Sequence, residues 1–312
     1  MTKTPSALSD IIKSKPVPDE VPFKTISHSQ FSVYNSCPHH WRLRYINKIK
    51  PFTGSINTVF GTAMHETLQE FLRIMYSESA KAAESMDLET YLQERFAFNY
   101  AKEREANSGN DFSSLEEIQE FFEDGVAILR WFVNRRAEFF SVRGMKLLGI
   151  EIHVMQPTDA NPNVFLTGFL DIVFFDEDTK KVIIYDIKTS RMGWKSDREQ
   201  KDKAKVAQIL LYKKYFSKQY EINPEDIEVV FFILKRKIWA NSDFPIPRIQ
   251  VFRPAHGSAK MREADFMLKK FVDECFTPDG QYNEERDYPK IPGKSCTYCP
   301  FRFDLSLCDQ RP

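Results

Sequence analysis

Between residues 147 and 189 three strand-like runs follow one another, and each carries one acid inside apolar sequence. Residues 165–175 and 181–189 are rich in β-branched and aromatic side chains. The DEDTKK at 176–181 supplies a turn between them, so the two runs read as an antiparallel hairpin. The preceding run, 147–156, alternates in strand fashion. Downstream, residues 198–220 read as a polar, basic helix, 226–235 and 249–253 as further strands, and 258–276 as a helix. Upstream the spacing is helical. Ser27 is a candidate N-cap, Cys37-Pro38 opens a short helix through Tyr45, and 58–76 places Phe60, Met64, Leu68, Phe71, Leu72 and Met75 on one stripe. Helical stretches at 88–105 and 115–140 flank the break NSGND. Helices first, then strand–strand–strand–helix–strand, imply an α/β fold with a mixed sheet flanked by helices.

The chain has 312 residues, 42% hydrophobic and 28% charged, which suits a globular protein with a core to which 27 Phe contribute. A loose leader is expected at 1–24, with Pro and Ser before structure begins. A single domain is expected over 25–312: a mainly helical part at 25–142, a catalytic sheet and basic helix at 143–255, and a C-terminal helix with a cysteine cluster at 256–312. Basic and acidic residues are both 44, so any affinity for nucleic acid must come from local concentrations of charge. No run suits a bilayer span and the N-terminus lacks the pattern of a secretory signal. An intracellular, cytoplasmic protein is expected, without membrane partners. The odd count of five cysteines then argues for a metal site rather than a disulfide framework.

Asp171 falls in one strand of the hairpin; Asp186 and Lys188 fall in the other, two apart and so on one strand face. Two nearby carboxylates repel, and a divalent cation relieves that repulsion. Mg²⁺ prefers such hard oxygen ligands. Cation and lysine together can offset charge that develops on a phosphate. D-x-K alone is a weak signal, equally suited to a solvated strand. The apolar Val182-Ile183-Ile184 before it implies burial, and buried charges need partners. Glu151, on the preceding strand, is a possible extra acid, although an outward salt bridge suits it as well.

Four motifs in this order resemble the RecB-like branch of the PD-(D/E)xK nuclease superfamily. They are G-x-x-x-H at Gly61–His65 (GTAMH), G-x-x-D at 168–171, D-x-K-T at 186–189 and Q-x-x-x-Y at 208–212. The resemblance implies a restriction-endonuclease-like sheet. It implies Mg²⁺ or Mn²⁺ held by His65, Asp171, Asp186 and the Ile187 main-chain carbonyl, with Lys188 positioning or activating water. Gln208 and Tyr212 would contact the phosphate backbone or order the site. Taken singly, His65 beside Met64 and Leu68 suits a structural histidine, and Gln208 with Tyr212, one turn apart, suits an ordinary polar patch.

Cys296 and Cys299 form C-x-x-C, and Cys308 follows. A single metal needs a fourth ligand, for which Cys37 is the obvious candidate. The chain is similar here to the iron–sulfur-containing CRISPR-associated RecB-like and AddB-type exonucleases, in which one N-terminal and three C-terminal cysteines hold a 4Fe-4S cluster that clamps the chain ends. Eight residues separate Cys299 from Cys308, more than is usual in those relatives, and Zn²⁺ is the alternative. Cys275, among apolar neighbours, reads as a buried small hydrophobe.

Residues 194–218 hold eight basic and three acidic side chains, a local balance of +5. Lys195, Lys201 and Lys205 are candidates for holding phosphates there. Arg42 and Trp41, in a second basic and aromatic group with Arg44, Tyr45, Lys48 and Lys50, suit single-stranded bases, unless these rings pack in the core. The expected activity is phosphodiester hydrolysis on DNA, as an exonuclease on single-stranded ends in replication, recombination or repair. With no G-x-x-x-x-G-K-[ST] present, unwinding falls to a partner such as a helicase or recombination protein. The rival readings are a non-catalytic DNA-end-binding or assembly module and an RNA-processing nuclease.

Overall fold

The computed structural model describes residues 5–14, 17, 23–141, 143–194, 203–239 and 246–309. Within them the chain runs α1 (Pro5–Ser14), β1 (Lys24–Ser27), α2 (His28–Ser36), α3 (Pro38–Trp41) and a π-helical turn (Arg42–Ile46). It continues through α4 (Ile56–Ser77), α5 (Ala80–Glu84), α6 (Leu88–Ala106), α7 (Leu115–Val133), β2 (Met145–Pro157), β3 (Val164–Asp176) and β4 (Lys181–Ser190). The remainder comprises α8 (Lys203–Tyr220), β5 (Ile227–Lys235), β6 (Ile249–Phe252) and α9 (Ser258–Cys275). The chain is thus a mixed α/β fold, with one six-stranded sheet between two helical layers.

The expected hairpin is present. β3 and β4 pair antiparallel from Asp176↔Lys181 to Ile172↔Tyr185. In its turn the Asp176 carboxylate accepts from the amides of Asp178 and Thr179, the local side-chain bonding that favours Asp at turns. β5 pairs parallel to β4, which requires a crossover, and α8 supplies it. Strands β4 and β5 are buried on both faces, the reason both read as near-continuous apolar runs.

One core, under α8, α9 and α2, holds Leu170, Ile184, Phe231 and Tyr215. The other, under α4, α6 and α7, holds Ile172, Phe174, Ile187 and Phe232. Phe140, Phe174, Tyr185 and Phe232 pack ring against ring in the second, with centroids 5.3–6.3 Å apart.

Three local readings differ from the structure. Residues 5–14, within the stretch read as a loose leader, form α1, whose Leu8 is buried in the first core. The helix expected through residue 140 stops at Val133 and gives way to a 3₁₀ turn at Arg136–Glu138. The described part of the basic helix, α8, is mostly buried rather than solvated. Lys213 is only 3% exposed, with its ammonium 2.8 Å from His256 Nδ1, and Lys214 and Lys218 pair with Asp159. Long aliphatic stems let lysines line a core while their heads find partners, which composition alone does not disclose. Among the described residues no helix is long and apolar enough to cross a membrane.

Candidate active site

The site grows from a fork in the sheet. β2 runs along one edge of β3. On the other edge β1 pairs in parallel from Lys24↔Val164 to Ser27↔Thr167, and β4 begins pairing only at Ile172. Residues 168–171, the G-x-x-D segment, lie in the gap between these two partners. β4 meanwhile stays paired with β5 through Ser190. Asp171 and Asp186 therefore stand opposite each other where their strands diverge.

The sheet also twists locally at this point. Leu170 and Ile152 face the α8 side, whereas Ile172 faces the α4 side. Glu151, beside Asp171 in the register, takes φ +50°, a strained backbone for a non-glycine residue of the kind concentrated at functional sites.

Four groups converge in the fork. The Ile187 amide donates to Asp171 Oδ2 at 2.6 Å. Lys188 Nζ lies 2.7 Å from Asp186 Oδ2. From α4, His65 Nδ1 stands 3.7 Å from Asp171 Oδ2, and the His65 ring also meets the Ile187 carbonyl. Burial and then the Lys188 ammonium lower the His65 pKa to about 4, so its contact with Asp171 is that of a neutral ring.

Burial and the charge of Asp186 push Asp171 well above the usual carboxylate range, against the pull of Lys188 and the Ile187 amide. For Lys188, burial acts downward, but the carboxylates of Asp186 and Asp171 prevail and hold it above its ordinary value.

Close packing holds this arrangement. A Cβ at Gly168 would lie 2.6 Å from the Tyr212 ring and hydroxyl, so only glycine lets α8 bring Tyr212 against β3. Gln208 Nε2 donates to the Tyr212 hydroxyl at 3.5 Å. Burial raises the Tyr212 phenol pKa. A Cβ at Gly61 would sit 3.3 Å from Thr189 Oγ1, so α4 crosses close to the end of β4 and delivers His65 one turn later.

Sequence reasoning missed Gln69, four residues beyond His65 and on the same helix face. Its amide donates to Glu151 Oε1 at 2.5 Å and to the Asp171 carbonyl at 3.2 Å. That spacing was the available signal. The contact also draws Glu151 toward the fork, and Glu151 adds to the upward push on Asp171.

The four cysteines outside α9 line one pocket. Cys37 ends α2, while Cys296, Cys299 and Cys308 come from the C-terminal segment. Burial raises the Cys299 thiol, and the other three thiols add to that push. His39 Nε2 stands 2.8 Å from the Leu307 carbonyl, and Lys290 pairs with Asp309, so this pocket lies where the first helices meet the last residues. Cys275 is fully buried in the first core. Among the described residues no three His, Cys, Asp or Glu side chains stand as a ready-made metal-binding group.

Of the basic candidates, Lys195 and Lys201 lie outside the described residues. Lys205 Nζ sits 5.3 Å from the centre of the Trp194 ring. Arg42 donates to the Arg286 carbonyl, holding the C-terminal segment. Trp41 offers no face to a nucleic acid. It is 0% exposed, enclosed by Tyr34, Tyr45, Phe271, Phe276, Tyr282 and Tyr288, because a ring of that size gains more from burial than from display.

No curated protein matches the chain. The solved structure described as "Crystal structure of SSO0001" is 14% identical, with 95% of this chain and 91% of that chain covered and a TM-score of 0.37. The family model described as the PD-(D/E)XK nuclease superfamily matches residues 25–304, which include the whole fork and all the motif residues around it. By that match the chain belongs to the PD-(D/E)XK nuclease superfamily.

Proposed function

We propose that the protein is a metal-dependent deoxyribonuclease of the RecB-like type, acting as an exonuclease on single-stranded ends during replication, recombination or repair. One observation carries the reading. Asp171, Asp186, Lys188 and His65 converge in a fork of the sheet, and there two carboxylates share one ammonium, with Lys188 Nζ 2.7 Å from the buried Asp186 Oδ2. The two carboxylates still repel each other, and a hard cation is the natural partner for such a pair.

Asp171, Asp186, His65 and the Ile187 carbonyl form a donor set of carboxylate, imidazole and carbonyl that fits Mg²⁺ or Mn²⁺. The neutral His65 ring keeps a nitrogen lone pair for such a role. When bound, such a cation offsets phosphate charge and makes water more acidic. The Ile187 amide orients Asp171, and Lys188 holds a positive charge where a phosphate oxygen or attacking water would sit. Gln208 and Tyr212 close the α8 side and meet the phosphate backbone. Gln69 and Glu151 brace Asp171 from behind.

The Cys37, Cys296, Cys299 and Cys308 pocket is assigned to a 4Fe-4S cluster that joins the two ends of the domain, with Zn²⁺ as the alternative. Four thiols on one pocket suit either ligand. Lys205 and Arg42, with Lys195 and Lys201, are the proposed phosphate contacts. A helicase or recombination protein is the expected source of unwound strand.

Incubation with end-labelled single- and double-stranded DNA and RNA, in Mg²⁺, Mn²⁺ or EDTA, tests the activity. Metal-dependent shortening of single-stranded DNA is expected, and it is absent with EDTA. Wild-type activity in both Asp186→Ala and Lys188→Ala would overturn the site. A brown protein with visible absorption, lost in Cys299→Ser, supports the cluster. Stoichiometric zinc in a colourless protein purified without air rejects it.

A further inference from the structure

The G-x-x-D segment carries an aromatic residue between its glycine and its acid. Phe169 keeps 51% of its surface exposed, although it lies in the middle of a long central strand. It is not a lone exposed ring. On β2 the His153 ring stacks against it, with centroids 4.4 Å apart and planes 17° apart, and the two residues are direct partners in the register. The His153 ring is fixed in turn, since Nε2 lies 2.8 Å from Thr167 Oγ1. Along the same side of β3 a second pair follows, Phe165 stacked on Phe23 of the β1 segment, with centroids 5.2 Å apart and planes 3° apart.

Residues 165, 167, 169 and 171 alternate to the half-exposed side of β3, while Val164, Leu166 and Leu170 face the core. The helices over the second core cover the strand beyond Asp171 and leave this half open. Asp171 therefore ends a row of flat aromatic surfaces. Phe169 stands about 6.8 Å from it along the strand, two residues on, which is the reach of one unstacked nucleotide. Rings serve single-stranded nucleic acid because every base has a π-face, whereas bases within a duplex are already stacked on each other.

We propose that Phe169 and His153 form a base-stacking subsite for the nucleotide next to the scissile phosphate of a single-stranded substrate, with Phe165 and Phe23 continuing the track. This rests on the nuclease reading above. Phe169 is exposed and carries no core packing, so replacing it leaves the fold intact.

The test uses the full chain and single-stranded oligodeoxynucleotides carrying a fluorescent adenine analogue at successive positions from the end, with Ca²⁺ in place of Mg²⁺ to hold the strand uncut. Quenching at a defined position is expected in the wild type. Phe169→Ala loses that quenching and binds about tenfold more weakly, whereas Phe169→Trp retains both. His153→Ala gives an intermediate loss, since Phe169 then lacks its backing ring. Equal quenching and affinity in Phe169→Ala and the wild type, with equal melting temperatures, overturns the subsite. Cleavage in Mg²⁺ or Mn²⁺ is measured separately. Cleavage by the wild type with no effect of Phe169→Ala rejects the platform alone, and no cleavage of any nucleic acid rejects the nuclease reading itself.

Discussion

The main-chain amide of Ile187 donates to the carboxylate of Asp171 at 2.6 Å across a gap in which their two strands no longer pair. A side chain has taken the place of a ladder bond. Divergence of the strands frees that amide, and the amide then fixes the direction in which Asp171 points.

Metal should stabilise the folded protein through this fork. Saturating Mg²⁺ or Mn²⁺ is expected to raise the melting temperature of the wild type by a few degrees, because a ligand that binds only the native state stabilises it by mass action. In Asp186→Asn the increment disappears and turnover falls by about a hundredfold or more. Calorimetry with and without EDTA measures the first effect. An unchanged increment in the variant would remove Asp186 from the ligand set.

The two motif glycines should behave differently. At Gly168 an added methyl meets the Tyr212 ring at 2.6 Å, but at Gly61 it meets only a hydroxyl at 3.3 Å. Gly168→Ala is expected to cost about 1–3 kcal/mol through overpacking. Gly61→Ala should be near neutral, since the helical gain of alanine over glycine, about 1 kcal/mol, offsets the tight contact. Urea unfolding resolves the difference. The Gly168→Ala cost should shrink in a Tyr212→Ala background, because the two side chains compete for one space.

Gln69 touches Asp171 and Glu151, and on the proposed reading it serves the site through them rather than on substrate. Gln69→Leu is expected to weaken metal-dependent activity about 10–100-fold, the usual effect of removing a group that orients a ligand. Gln69→Glu should be worse than Gln69→Leu, because it sets a second carboxylate against Glu151 and the Asp171 carbonyl. Activity titrated with Mn²⁺ distinguishes them. The reverse order would show that Gln69 contributes packing alone.

Trp41→Ala should cost about 3–5 kcal/mol of stability, as expected for a large ring removed from a core. Single-strand affinity per folded molecule should remain at the wild-type level. A selective loss of binding without loss of stability would return Trp41 to the nucleic-acid surface.

Much of the fold was legible because β4 and β5 are apolar on both faces and the turn at 176–181 is strongly marked. Asp186 and Lys188 could be read as a pair from their spacing, and the burial of Asp186 from Val182-Ile183-Ile184. The fork itself was not legible. It depends on Lys24–Ser27 pairing with Val164–Thr167, a contact about 140 residues apart with no local signature. The burial of α8 was hidden for a related reason. Lys213 looks solvated in sequence, and only the distant His256 accounts for its place. Trp41 misled because an aromatic among cations has the same composition on a surface as in a core.

The remote pairing of β1 also sets an order of events in time. The β2–β3–β4 meander is local and can form early, whereas docking β1 must close a loop of well over a hundred residues, the kind of step that slows folding. The fork gains its far wall only at that step. A refolding chain should therefore recover its far-ultraviolet dichroism before its capacity to cut, so that a newly made molecule stays harmless to nucleic acid until its chain is nearly in place.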